Sequence, residues 1–230
     1  LQASQEAELQ TAALLGLGRA YLSSREYRRS IDVLENLVRN YPDSPHLPHA
    51  NFFLAKAYSA ADRYVEAAQA YLNYMILRPG VIDGYVLDLR GDALFSASDF
   101  GGAINDYRAA LNSPSMNDTL YIELKTARAY ALSGDYNTAL GLYDELYYRT
   151  NNDFTKALIN LRRGQAYAAL GKMDEAYAAY LDNVTNFPAS YDSYSSLLAL
   201  VEAGVEVDDL HRGLVDYFAG QYGVALAALD

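Results

Sequence analysis

Apolar residues in "ELQTAAL" and the stretches that follow recur at helical rather than alternating spacing, which predicts α-helix from the start of the chain. A longer period lies over the helical one. Tyr21, Tyr58, Leu94, Tyr130 and Tyr167 stand 37, 36, 36 and 37 residues apart, the mark of a repeat array. Three residues before each comes a small residue: Gly18, Ala55, Gly91, Ala127 and Gly164. Nine residues after each comes another, Ser30, Ala67, Ala103, Ala139 or Ala176, and four further on a bulky one, Leu34, Tyr71, Tyr107, Tyr143 or Tyr180.

These spacings predict two helices per period. Residues three or four apart share a helix face, so a small residue beside a ring lets a second helix approach closely while the ring fills the adjoining space. The turn signals "SGDY" at 133–136 and "LGKM" at 170–173 separate the helices. Pro42, Pro79 and Pro188 close three periods and Asn151 a fourth, because proline lacks the amide and the room to continue a helix. "LGLGRAY" at 15–21 is therefore not a phosphate cradle. No strand precedes it, and Tyr21 holds the place of a third glycine. Gly18 is expected to pack one helix on another.

The pattern resembles the tetratricopeptide repeat: a small-x-x-aromatic helix, an Ala-x-x-x-Tyr/Phe helix and a closing proline. Five units cover 1–190, at 11–44, 48–81, 84–117, 120–153 and 157–190. The family's first-helix Trp position holds Leu14, Asn51, Leu87, Glu123 and Asn160, and unit 3 closes early with Pro114. Residues 191–207 read as an irregular helix, ended by Gly204, and a linker. Residues 208–230 read as a truncated sixth unit in which Gly213, Gly220, Ala225 and Leu229 restore the spacing and Asp208 or Asp209 caps the helix. The resemblance implies an all-α fold, a right-handed α-solenoid of helix-turn-helix hairpins. Because "VALAALD" is apolar where an array carries a polar cap, more protein is expected to follow.

Composition narrows the partners. A net charge of -11 and a pI near 4.6 argue against a nucleic-acid backbone. No run of 18 apolar residues is present, so no membrane span is expected. With zero cysteines, disulfides and thiolate chemistry are excluded. No GxSxG, HExxH or Walker pattern occurs, and neither catalytic residue, metal nor cofactor is expected. Pro48 is expected to interrupt the turn between His46 and His49 and so spoil a metal pair, and His211 to be an exposed helix residue.

The resemblance further implies that the first helices line a concave groove. Arg19, Lys56, Asp92, Arg128 and Gln165 form one row, and Phe52, Tyr85, Asp88, Phe95 and Tyr121 flank it. Cations would take a partner's carboxylates and rings its apolar anchors. A closed ladder of Lys56, Asp92 and Arg128 bridging one another is the competing reading. The carboxylate clamp of chaperone-binding members is not reproduced.

Two functions follow from resemblance. "NYPDSPHLPHANFFLAKAY" at 40–58 is similar to bacterial envelope tetratricopeptide proteins, which implies a non-catalytic scaffold with a protein or peptide in its groove, in the periplasm or cell envelope. Residues 200–230 look like the helical region of bacterial soluble lytic transglycosylases, which cleave peptidoglycan. In that case this stretch is a platform that positions glycan, since the catalytic Glu-Ser dipeptide is absent.

Overall fold

The computed structural model describes residues 2–114, 116 and 119–229. The expected end of the third unit at 117, the chain's first residue and its last fall outside them. Thirteen helices occur among the described residues: α1 (Gln2–Ser23), α2 (Tyr27–Asn40), α3 (Leu47–Ala60), α4 (Tyr64–Leu77), α5 (Asp83–Ser96), α6 (Phe100–Leu111), α7 (Leu120–Leu132), α8 (Tyr136–Arg149), α9 (Asp153–Ala169), α10 (Met173–Asn186), α11 (Tyr191–Glu202), α12 (Asp209–Phe218) and α13 (Tyr222–Leu229). No strand occurs among these residues. The helices form two compact units, Leu1–Ile122 and Glu123–Asp230.

In the first unit α1 pairs with α2, α3 with α4 and α5 with α6, and each pair packs on the next. In the second, α9 pairs with α10, α11 lies on both, and α12 pairs with α13. The seam inside each pair is the small-to-bulky match, with the bulky residue sixteen positions after the small one. A Cβ on Gly18 would come within 2.5 Å of Leu34, and one on Gly91 within 2.5 Å of the Tyr107 ring. Tyr180 crowds Gly164 in the same way, and Leu229 crowds Gly213. Where alanine stands at this place, Ala55 and Ala127 are fully buried, as are Tyr71 and Tyr143 sixteen residues on. Ser30, the small residue of α2, donates its hydroxyl to the Gly18 carbonyl at 2.8 Å. The close approach thus serves packing and a hydrogen bond together.

The turn inside each pair is equally regular. The amides of Glu26, Arg63, Asp99, Asp135 and Lys172 donate to the carbonyls of Tyr21, Tyr58, Leu94, Tyr130 and Tyr167 at 2.8–3.0 Å. That six-to-one bond closes a Schellman motif and satisfies a carbonyl the helix end leaves open. Its left-handed position is Gly134 and Gly171 in two turns, but Arg25, Asp62 and Ser98 in three, with φ of 61°, 58° and 64°. A side chain there costs roughly 1–2 kcal/mol, which the paired helices on either side offset. Asp99 and Asp135 cap the following helix, accepting from Gly102 and Thr138.

Two sequence expectations are corrected. Pro48 does not interrupt a turn; it stands in the first turn of α3, where its missing amide would have had no intrahelical partner. His211 is half-buried and pairs with Asp208, whose carboxylate also caps α12 through the amides of Leu210 and His211.

One carboxylate is set apart by burial. Asp106 on α6 is 6 % exposed and lies 3.2 Å from the Arg90 guanidinium of α5. Desolvation pushes its carboxyl up to about 6 against the opposing pull of Arg90, with Asp99 adding to the rise.

The seam and this carboxylate each generate a prediction. A methyl group placed on the exposed Gly16 would meet no neighbouring atom, so Gly16→Ala raises stability by about 1 kcal/mol. Two residues on, Gly18→Ala forces a methyl into Leu34 and lowers it by about 1–2 kcal/mol net of the same helix gain; urea unfolding of both variants measures the opposite signs. For Asp106, the folded chain holds a proton that the unfolded chain has already lost between pH 4 and 6. Its contribution is therefore full below pH 4 and lost as pH rises through about 6. Asp106→Asn removes about 1–2 kcal/mol of that decline, read as the difference between variant and parent in urea melts at pH 4.5 and 7.

Candidate functional site

In the first unit the first-of-pair helices α1, α3 and α5 carry a continuous aromatic and cationic surface. On α3 the i, i+3/i+4 and i+7 spacing puts His49, Phe52, Phe53 and Lys56 along one side. Phe52 is the hub. Its ring lies 5.5 Å from Phe53, 6.0 Å from Tyr71, 5.4 Å from Tyr74 and 6.5 Å from Tyr85 of α5. Tyr71 and Tyr74, three apart on α4, are buried behind it, while Tyr85 is 45 % exposed.

Two cations sit over this sheet of rings. The Arg19 guanidinium lies 5.0 Å from the Phe53 centroid, and Lys56 Nζ lies 5.9 Å from that of Phe52. Arg78, at the C-cap of α4, approaches His49 Nε2 with Nη1 at 3.1 Å. Burial, Arg78, His46 and Arg19 hold the His49 imidazole below its ordinary value, so it stands neutral as an acceptor toward Arg78. Among the described residues none of Arg19, Lys56 and Arg78 has a carboxylate within ion-pair distance. In a chain of net charge -11, this is an exposed cationic patch on aromatic ground.

The acidic flank lies further along α5. Tyr107 donates its hydroxyl to Asp92 Oδ1 at 2.8 Å. Burial, then Asp92, raise the Tyr107 phenol well above its usual range, and Asp88 and Tyr121 act in the same direction. Asp92 therefore holds a core ring in place as well as standing in the expected row. Phe95 packs edge-on against Phe100 at 5.4 Å, at the turn into α6, and Tyr121, at the start of α7, is 65 % exposed.

The remaining members of the row belong to the second unit. Arg128 of α7 and Gln165 of α9 are exposed. Gln165 accepts from Arg162 Nη1 at 2.9 Å. The structure thus joins Phe52 to Lys56 and Tyr85, Arg19 to Phe53, and Asp92 to Tyr107. Phe53, Tyr71, Tyr74, Arg78 and His49 were not anticipated as parts of this surface. The family's groove positions pass over Phe53, and Arg78 follows its helix, though the Phe52–Phe53 doublet and the Tyr71–Tyr74 spacing were visible signals.

Among the described residues no three His, Asp or Glu side chains converge as a metal site. No described helix is long and apolar enough to cross a membrane.

Tetratricopeptide-repeat family models match residues 15–81 and 160–190. The chain thus carries tetratricopeptide repeats and has an all-α solenoid fold, an architecture of stacked hairpins. Solved structures show the same fold. MamA is 14% identical with a TM-score of 0.61, over 86% of this chain and 97% of its own. The quorum sensor NprR from B. thuringiensis, in its apo form, is 16% identical with a TM-score of 0.60, over 97% of this chain and 64% of its own. A tetratricopeptide repeat protein from Parabacteroides merdae is 12% identical with a TM-score of 0.54, over 95% and 90%. No curated protein matches the sequence.

Rings and cations carry different loads here. Phe52→Ala empties the hub of four ring contacts and is expected to cost about 3 kcal/mol. Lys56→Ala, which removes an exposed charge over one ring, costs under about 1 kcal/mol. Thermal unfolding of the two variants checks the separation.

Proposed function

We propose that the chain is a non-catalytic scaffold that holds a protein partner through an extended acidic and apolar peptide segment. The observation that supports this reading is Arg19 and Lys56 over the Phe53 and Phe52 rings, with Arg78 at His49 and Tyr85 beside Phe52, cations that have no carboxylate within ion-pair distance among the described residues. A carboxylate gains from such cations, and an apolar side chain gains from the rings between them. The wider set of groove residues is Arg19, Phe52, Lys56, Tyr85, Asp88, Asp92, Phe95, Tyr121, Arg128 and Gln165, with the hairpins at 11–44 to 157–190 as the repeating elements. The second reading, a helical platform within a larger peptidoglycan-cleaving transglycosylase, rests on the sequence of 200–230. It is tested by adding the full parent protein to purified peptidoglycan and following muropeptide release.

Peptide display tests the scaffold reading. Twelve-residue peptides selected on the protein from a random library are expected to be enriched in Asp or Glu next to Leu, Phe or Tyr. Affinity for the selected peptides should fall about tenfold or more on Lys56→Glu, consistent with loss of one charge-assisted contact, and should weaken with salt. Selection of basic peptides, or binding unchanged by Arg19→Glu and Lys56→Glu, would contradict it.

A further inference from the structure

A polar pocket opens between α2 and α4 over α3, on the side of α3 turned away from Phe52 and Lys56. Its volume is about 360 Å³, and Glu35, Val38, Asn51, Leu54, Gln69 and Asn73 are among the residues that line it. The amides form a chain. Gln69 Nε2 donates to Asn73 Oδ1 at 3.0 Å, and Asn73 Nδ2 reaches Asn51 Oδ1 at a long 3.4 Å. Asn51 is 2 % exposed, and its Nδ2 donates to the Leu47 carbonyl at 3.0 Å, which leaves the oxygen as its acceptor. Glu35 accepts the Tyr58 hydroxyl at 2.6 Å, while Arg39 at 3.7 Å and Arg63 at 3.8 Å stand beyond hydrogen-bond length.

The second unit shows what the same place holds when it is filled. Three periods on, Asp144 of α8 stands for Glu35 and Tyr147 for Val38, Asn160 of α9 for Asn51 and Arg163 for Leu54, and Asp182 of α10 for Asn73. Arg163 lays its guanidinium among them. Its Nε lies 2.8 Å from Asp144 Oδ1, its Nη1 donates to Asn160 Oδ1 at 3.0 Å, and its Cζ lies 5.5 Å from the Tyr147 centroid. Tyr147 in turn donates to Asp182 at 2.8 Å, and Asn160 Nδ2 donates to the same carboxylate. The carboxylate and the amide oxygen that receive this guanidinium have counterparts in Glu35 and Asn51. Leu54 and Val38 replace the arginine and the ring, and the pocket is the volume those two exchanges free.

We infer that the pocket binds a guanidinium, presented as an arginine side chain by a protein partner, with Glu35 pairing its charge and Asn51 Oδ1 accepting from one of its N–H groups. A planar fork of donors suits a carboxylate beside an amide oxygen better than a lysine ammonium does. Val38 and Leu54 receive the methylene stem. Because Arg39 and Arg63 share the Glu35 charge and the rim faces water, one arginine binds weakly, with a Kd on the order of 1–10 mM. The pocket therefore adds one anchoring contact to a larger interface. The inference does not rest on the acidic-segment reading of the aromatic side of α3. An affinity this low does not survive selection of displayed peptides, so each test stands without the other.

The test is an NMR titration of the 15N-labelled chain, read at the side-chain amides of Asn51, Gln69 and Asn73. Three peptides serve as probes: acetyl-Gly-Arg-Gly-amide, acetyl-Gly-Lys-Gly-amide, and the same peptide with citrulline, which keeps the shape of arginine without its charge. The arginine peptide is expected to shift these amides saturably, the lysine peptide to bind about threefold or more weakly, and the citrulline peptide not to saturate. Glu35→Gln keeps an acceptor for Tyr58 but removes the charge, and should weaken the arginine peptide about fivefold. Leu54→Arg supplies the guanidinium from α3 itself, as Arg163 does from α9, and should shift the same amides without peptide and abolish their response to it.

Binding of the lysine or citrulline peptide as tight as that of the arginine peptide overturns the inference. So does the lack of a saturable shift at these amides with the arginine peptide, or an affinity unchanged by Glu35→Gln. Leu54 is buried and Glu35 half-buried, so Glu35→Gln decides the matter where Leu54→Arg does not fold.

Discussion

The structure depends on one contact made again and again: a residue with little or no side chain on the first helix of a pair receives a bulky side chain from the second, sixteen positions later. This contact sets the distance between paired helices, and so the direction in which the first helix presents its remaining faces. Gly18 with Leu34, Gly91 with Tyr107 and Gly164 with Tyr180 leave no room for a methyl group. The Schellman turn depends on the same pair, because its accepting carbonyl belongs to the residue three positions after the small one. Packing and turn are thus locked to one register, and the period of 36 or 37 residues is the sequence trace of that lock.

From this lock follows the division of labour around Phe52. Its ring touches both the buried Tyr71 and Tyr74 and the exposed Tyr85, so core and surface are one aromatic body. Arg19 and Lys56 rest on that body, and among the described residues neither has a carboxylate within ion-pair distance. Under the proposed scaffold reading, it is these cations over rings that an acidic partner would meet. Asp92 shows the contrary case: in the first unit the same row turns inward and ties down Tyr107. At the following repeat the acid gives way to Arg128, and the hydroxyl of Tyr143 has no acceptor among the described residues.

Much of this was legible in the sequence because it is periodic. The helix pairs, the packing role of Gly18, an N-cap at Asp208 or Asp209, of which the helix uses Asp208, and the helix ended by Gly204 all follow from the sequence pattern. What escaped was not marked by a recurring residue type. Arg25, Asp62 and Ser98 adopt the left-handed turn without a glycine to announce it, held there by the surrounding hydrogen bonds. Pro48 read as an interruption because proline signals both the end of one helix and the first turn of the next, and only the helix that follows distinguishes them. The contacts of Phe53, Arg78 and His49 depend on side chains meeting from different helices, information that no single helical wheel contains. His211 likewise gained its partner from the capping Asp208, one turn away.

Amide hydrogen exchange, with and without a display-selected acidic peptide bound, tests most directly whether the first-of-pair helices are the binding surface. If they are, exchange slows on α3 and α5, between His49 and Phe95, while the second-of-pair helices α4 and α6 are unaffected on their outer sides. Protection confined to α4 and α6, with the Phe52 surface unchanged, would contradict it.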